Sequence, residues 1–217
     1  MQNHHPRYIV VEGPIGVGKT SLAHRLAQSF GSELLLEGPE ENPFIDRFYE
    51  NPRLAALPTQ LFFLTQRVRQ MQELRQGDMF NPVRVADFLI EKDRLFAELT
   101  LDDDELRLYD QIYTHMTIEA PVPDLVIYLQ APVEVLLERI ARRDRHYERA
   151  IDAGYLQRLV DTYARFFHDY YGAPLLIVNA ASIDLVNNEN DYNLLLAQVK
   201  STTRGRHFFN PMPLELS

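Results

Sequence analysis

The 217 residues carry 22 basic and 31 acidic side chains, a formal charge of −9, and no cysteine. That length bounds the chain to one or two domains, and 46% hydrophobic with 24% charged residues is the balance of a soluble globular protein. The lack of Cys excludes a disulfide scaffold and a thiolate zinc site and fits a reducing compartment; the acidic balance speaks against a general nucleic-acid binder, which presents a basic field to phosphates.

Met1 to Arg7 is polar, without the apolar core of a signal peptide, and His4 and His5 read as an exposed pair rather than a metal site. Tyr8–Glu12 is the first short apolar run and predicts a strand, followed by a glycine-rich turn and a helical stretch. Leu34–Glu37 predicts a second strand. Leu57, Leu61, Leu64, Val68 and Met71 step by three or four and give the next helix an apolar stripe, read as core packing. Val83–Asp87 predicts strand three, and the acidic run Asp102 to Glu105 a loop and helix start. Strand four is Leu125–Gln130, then come helices over Val133–Arg149 and Tyr155–Tyr171, and strand five is Leu175–Asn179. The Pro-containing tail from Arg204 to Ser217 reads as loosely ordered. Near-continuous apolar character suits strands buried on both faces of a parallel sheet, with the intervening helices as crossovers. The expectation is one α/β domain spanning residues 1–217, with helices on both faces of a five-stranded sheet. No run of about 18 apolar residues offers a membrane span, so no membrane partner is expected and the setting reads as cytoplasmic.

Gly13-Pro-Ile-Gly16-Val-Gly18-Lys19-Thr20 fits the pattern G-x-x-x-x-G-K-[ST], with a strand before it and Ser21 and a helix after. Backbone N–H groups in such a nest face an anion at the positive end of the helix. Lys19 would reach the β- and γ-phosphates of a nucleoside triphosphate, and the Thr20 hydroxyl would bind Mg²⁺, assisted by Asp87 at the end of strand three. Glu37 stands at the carboxyl end of strand two, where open α/β sheets place ligands. Beside a γ-phosphate a carboxylate is repelled, so it faces the acceptor and can take a proton from an attacking hydroxyl. An enzyme of monophosphates would want an Arg clamp there, yet no Arg or Lys lies between Arg25 and Arg47. The acceptor is therefore read as a neutral alcohol, and Glu40 and Glu41 as a solvated turn. Gln60 and Arg67 share a helix face with Phe63 between them, a set able to read the edge of a base. Arg139, Arg142, Arg143, Arg145 and Arg149 crowd eleven residues of an acidic chain and read as a flap closing over the triphosphate.

Together these motifs resemble the deoxynucleoside kinases, most closely the bacterial deoxyguanosine and deoxyadenosine kinases, from about Tyr8 to about Lys200. They are the phosphate loop, Glu37 with Asn42-Pro43-Phe44, Phe48-Tyr49-Glu50, Gln60 through Arg67, Asp87 through Ala97, and the Arg-rich lid ending in Glu148. The resemblance implies a P-loop kinase fold, usually in a homodimer, that transfers the γ-phosphate of ATP, with Mg²⁺, to the 5′-hydroxyl of a deoxynucleoside. By the same resemblance Glu37 matches the general base, and Tyr49 and Glu148 the pair on the sugar 3′-hydroxyl. Gln60 matches the residue that hydrogen-bonds the base, Arg67 and Asp93 a pair bordering it, and Arg139, Arg143 and Arg145 the lid arginines. Many members carry an acidic residue followed by Arg and Ser after strand three, whereas this chain has Asp87-Phe88-Leu89. The missing Arg leaves a place near Glu37 to Lys92 or Arg94. The leading expectation is a purine deoxynucleoside kinase of nucleotide salvage. The alternatives are a nucleoside monophosphate kinase of the same fold and a nucleotide-binding protein without catalysis.

Overall fold

The computed structural model describes residues 7–76, 83–117, 120–185 and 187–210, so His4, His5 and the tail beyond Asn210 lie outside the described residues. The sheet contains β1 (Tyr8–Glu12), β2 (Glu33–Leu35), β3 (Arg84–Ala86), β4 (Leu125–Gln130), β5 (Leu175–Asn179) and β6 (Arg206–Phe209). Its order is β2-β3-β1-β4-β5-β6, and every neighbouring pair is parallel. Helices α1 (Lys19–Phe30), α2 (Ile45–Glu50), α3 (Pro52–Gln76), α4 (Lys92–Thr100), α5 (Asp103–Thr117), α6 (Val133–Arg143), α7 (Ala153–His168) and α8 (Glu189–Ser201) lie between the strands.

All of β1, the first five residues of β4 and the first four of β5 are buried. Successive strand side chains point to opposite faces, so burial throughout requires cover on both sides. Helices supply it. Leu22, Ala23, Leu26 and Ala27 of α1 join the core, as do Leu156, Leu159, Tyr163 and Phe167 of α7, whose Phe167 ring stacks 4.1 Å from Tyr128.

Two expectations need correction. The sheet has six strands, not five: the chain turns at Gly205 (φ 71°), and Arg206–Phe209 pairs with β5, Ile177 opposite Phe208. Arg206 pins this edge by donating to the carbonyls of Phe167 (3.0 Å) and His168 (2.7 Å), so the stretch expected to be loose is ordered through Asn210. The helix expected to reach Arg149 ends at Arg143, because Asp144 takes a left-handed conformation (φ 50°) that a right-handed helix cannot continue. Arg149 returns to Asp144 with two hydrogen bonds, 3.0 and 3.1 Å, and a 3₁₀ turn over His146–Ala150 follows. The acidic run does start a helix: Asp102 accepts from the Glu105 amide (2.9 Å) and Glu105 reaches back to the Asp102 amide (3.3 Å), a capping pair.

The stripe on α3 packs as read, Leu64 and Val68 against Ile90, Ala97 and Tyr109, with Met71 in the main core. The flank beside it is buried too, with Thr59, Gln60, Phe63 and Arg67 inside. That second buried face is one wall of the site.

Candidate active site

β1 delivers the chain to the phosphate loop. At Gly13 (φ 148°) a Cβ would sit 2.5 Å from the Leu129 carbonyl oxygen, and at Gly16 (φ 84°) 2.9 Å from that of Leu136, so side chains are excluded at both. Gly18 precedes α1, and Ser21 lies exposed in its first turn. Lys19 arches back over the loop, its Nζ donating to the carbonyls of Gly13 (2.8 Å) and Pro14 (3.2 Å). Burial, and then the positive charge of Lys92, lower the Lys19 ammonium from its ordinary range to about 8. Asp87 links three segments: its carboxylate accepts from the Thr20 hydroxyl (2.5 Å) and from the Glu37 amide (2.8 Å).

Glu12, which the sequence reading passed over, is the fixed point beneath the loop. It is 1% exposed and accepts from the amides of Gly13 (2.8 Å) and Leu89 (2.8 Å) and the Tyr163 hydroxyl (2.9 Å). Its only sequence signal is a carboxylate ending an otherwise apolar buried strand.

Beside the loop opens a cleft of about 380 Å³, lined among others by Lys19, Glu37, Tyr49, Gln60, Phe63, Arg67, Lys92, Phe96 and Glu148. Glu37 is held there between two cations, ion-paired to Arg67 and 2.5 Å from Lys92 Nζ. Burial alone would raise its pKa; Arg67 and Lys92 outweigh it and hold the carboxyl at about 2. Of the two candidates for the missing Arg, Lys92 therefore touches Glu37, while Arg94 is turned outward to Asp110 (3.0 Å) and Glu98.

Arg67 also pairs with Asp93, which is fully buried and does not itself line the cleft. The guanidinium read from sequence as free to meet a base is thus committed to two carboxylates, because a buried charge must be paired. Gln60 faces the cleft with its Nε2 donating to Thr100 Oγ1 (3.3 Å). Tyr49 stacks on Tyr147, 5.9 Å between centroids, and its phenol is pushed well above its ordinary range by burial. Glu148 is 5% exposed and receives two bonds from Arg143, at 3.1 and 2.5 Å.

The arginine-rich segment after β4 is tied to the turn after β2. Arg145 pairs with Glu40 (3.0 Å), and the Tyr147 hydroxyl meets the same carboxylate (3.0 Å), while Glu41 accepts from Gln66 (2.8 Å). These two glutamates are therefore clasped, not merely solvated. Arg139 braces the loop from behind, donating to the carbonyls of Val17 (3.2 Å) and Ala180 (2.8 Å). A second cleft of about 860 Å³, lined by Gly18, Ser21, Arg139, Arg142 and Asp184 among others, meets the first at Gly16 and Arg143. Two clefts joined at a phosphate loop, one of them ending on an ionised carboxylate, fit a donor on one side and a hydroxyl acceptor on the other.

The sequence matches the family described as Deoxynucleoside kinase over residues 9–204. It is 37% identical over 202 residues to a deoxyguanosine kinase of Bacillus subtilis, covering 89% of this chain and 96% of that one. It is 30% identical over 213 residues to a deoxyadenosine/deoxycytidine kinase of the same organism, covering 93% and 96%. Among solved structures, deoxyadenosine kinase from M. mycoides with bound dATP superposes with a TM-score of 0.79 at 23% identity, over 90% of this chain and 100% of that one. With loop, carboxylate and cleft in this arrangement and the match running through nearly its whole length, the chain belongs to the deoxynucleoside kinase family.

Proposed function

We propose that the protein, as a deoxynucleoside kinase, transfers the γ-phosphoryl group of ATP to the 5′-hydroxyl of a purine deoxynucleoside, deoxyguanosine ahead of deoxyadenosine, in deoxynucleotide salvage. The observation that carries this reading is Glu37, a carboxylate kept ionised where the cleft meets the phosphate loop. The 5′-hydroxyl gives its proton to Glu37 as its oxygen bonds to the γ-phosphorus. The bond from that phosphorus to the bridging oxygen breaks, and ADP leaves with the electron pair. A loose transition state lets the nucleophile keep its proton until late, so a carboxylate with a pKa of about 2 suffices to orient it.

Lys19 holds the β- and γ-phosphates, and Lys92 takes the place beside the transferring group that many relatives give to Arg. Tyr49 and Glu148 address the 3′-hydroxyl and Gln60 the base, while Arg67 and Asp93 hold the wall beside it. Arg143 and Arg145 turn to the phosphates when a triphosphate is bound, exchanging Glu148 and Glu40 for stronger anions, and Arg139 keeps the loop in shape. Thr20 and Asp87, oxygen donors 2.5 Å apart beside the loop, suit Mg²⁺, which prefers oxygen and shares its shell with phosphates. When bound, that ion supplies neutralisation of phosphate charge. The purine preference is supported by the names of the relatives, and the same reading takes the protein as a cytoplasmic homodimer. Among the described residues no helix is long and apolar enough to cross a membrane.

The test is labelled ATP with Mg²⁺ and a panel of the four deoxynucleosides and their monophosphates. Deoxyguanosine phosphorylated fastest and thymidine poorly is the expected outcome; label entering only monophosphates, or nothing, overturns the reading.

A further inference from the structure

Gln60, which lines the cleft, is hydrogen-bonded to a residue outside the cleft lining, Thr100. Thr100, the last residue of α4, has one hydroxyl hydrogen, and its Oγ1 lies 2.6 Å from the Phe96 carbonyl oxygen. A carbonyl can only accept, so that hydrogen is committed. Thr100 therefore meets Gln60 as an acceptor, and the atom 3.3 Å away is Nε2. With the amide turned over, Gln60 Oε1 would face an oxygen with no hydrogen left to give. Gln60 is 3% exposed, so water is a poor replacement partner. One Nε2 hydrogen goes to Thr100, and the other, together with Oε1, forms the edge offered to a ligand, in one fixed order.

For a purine held one way round, that order decides. Adenine offers an amino donor at position 6 beside the ring acceptor N1. Guanine offers an oxo acceptor at position 6 beside the ring donor N1–H. The patterns are reversed copies, so an amide locked in one order matches one base and opposes the other.

We propose that Thr100 is a positioning residue for base specificity: by locking the Gln60 amide it sets which of the two purine edges the enzyme prefers. The inference rests on the deoxynucleoside kinase reading of the site.

Thr100→Val keeps the branched shape and removes the acceptor, and Thr100→Ser keeps the oxygen. The measurement is kcat/KM for deoxyguanosine and deoxyadenosine on one preparation of each enzyme. Because both values scale with the active fraction, their ratio is independent of how much of a variant folds. The wild type should prefer one base, and in Thr100→Val that preference should shrink by about twofold to tenfold, the range set by one net hydrogen bond. Thr100→Ser should restore it. A structural role alone would lower both values together, and an unchanged ratio in Thr100→Val overturns the inference. So does a changed ratio that Thr100→Ser fails to restore. A protein that phosphorylates no deoxynucleoside overturns the functional reading itself; one that does so with a ratio indifferent to residue 100 overturns only this inference.

Discussion

Lys19 makes the assembly of the phosphate site measurable through pH. An ordinary lysine keeps its proton to about 10.5, whereas burial, and then the charge of Lys92, bring this one to about 8. At 1.36 kcal/mol per pH unit, roughly 3 kcal/mol stands against the ammonium in the free enzyme. Bound phosphates remove that penalty by adding negative charge, so the bound enzyme keeps its proton to higher pH. Below pH 8 both forms are protonated and binding is indifferent to pH. Above it, binding must take up a proton, and triphosphate affinity should fall about tenfold per pH unit. The assay is kcat/KM for ATP from pH 6.5 to 9.5, with saturating deoxynucleoside and constant free Mg²⁺. A plateau to about 8 and then a unit negative slope is expected. Lys92→Met removes a cause of the lowered value, so the break should move to higher pH. Stability runs the opposite way: the unfolded chain binds the extra proton between pH 8 and 10.5, so this group makes the free fold more stable as pH rises there. A falling profile is then not unfolding driven by Lys19. A wild-type profile flat to pH 9.5, or a break that moves down in Lys92→Met, would refute the reasoning.

Glu37→Gln keeps the shape but cannot accept the proton, so kcat should fall about 10²-fold, the usual scale for general-base loss, with deoxynucleoside KM little changed; collapse of binding with a normal rate per bound substrate would make Glu37 a binding residue. Glu37 titrates near 2 instead of 4.5, so it contributes about 3 kcal/mol of stability present above pH 4.5 and lost as pH falls toward 2, a loss that denaturant titrations should show in the wild type and not in Glu37→Gln. Arg67→Ala leaves Asp93 as a buried charge with its partner gone and should cost about 3–5 kcal/mol in a thermal melt, part of it recovered in Arg67→Ala/Asp93→Ala; a variant with wild-type Tm contradicts the pairing. A 2′,3′-dideoxynucleoside leaves Tyr49 and Glu148 without their sugar hydroxyl at about 1–3 kcal/mol for an unpaired buried group, so kcat/KM should drop by about tenfold or more, and equal use of both sugars would remove those two residues from sugar recognition.

The central strands were legible because their signal is local. Tyr8–Glu12, Leu125–Gln130 and Leu175–Asn179 are apolar runs buried on both faces, and they have the bounds read from sequence. The phosphate loop was legible for a related reason: it is a spacing of glycines that backbone geometry demands. What stayed hidden depends on partners far along the chain. Arg206–Phe209 is short and sits at a sheet edge, with Phe208 72% exposed, so nothing in its composition separates it from a loop. Glu12 reads as the polar end of a strand until Leu89 and Tyr163 are brought to it. Choosing Lys92 over Arg94 required the turn before α4, because the two differ only in which side of the helix start they leave. Thr100 gave no signal at all, being a threonine at a helix end whose partner is forty residues earlier.

The place of β1 in the sheet bears on how the chain comes to life on the ribosome. Its register partners are Arg84–Ala86 on one side and Leu125–Tyr128 on the other, both later in the chain, so β1 waits for both. At about 5–20 residues per second, the far partner emerges on the order of ten seconds after Tyr8. Until Arg84–Ala86 has emerged, the apolar strand and the glycine turn behind it have no register partner, and until β4 follows they have only one. Nascent chains stalled before β4 should therefore be unable to retain nucleotide and should be ready clients for chaperones that bind exposed apolar segments. The phosphate loop, although it precedes β3 and β4 along the chain, is among the later parts of this sheet to take shape.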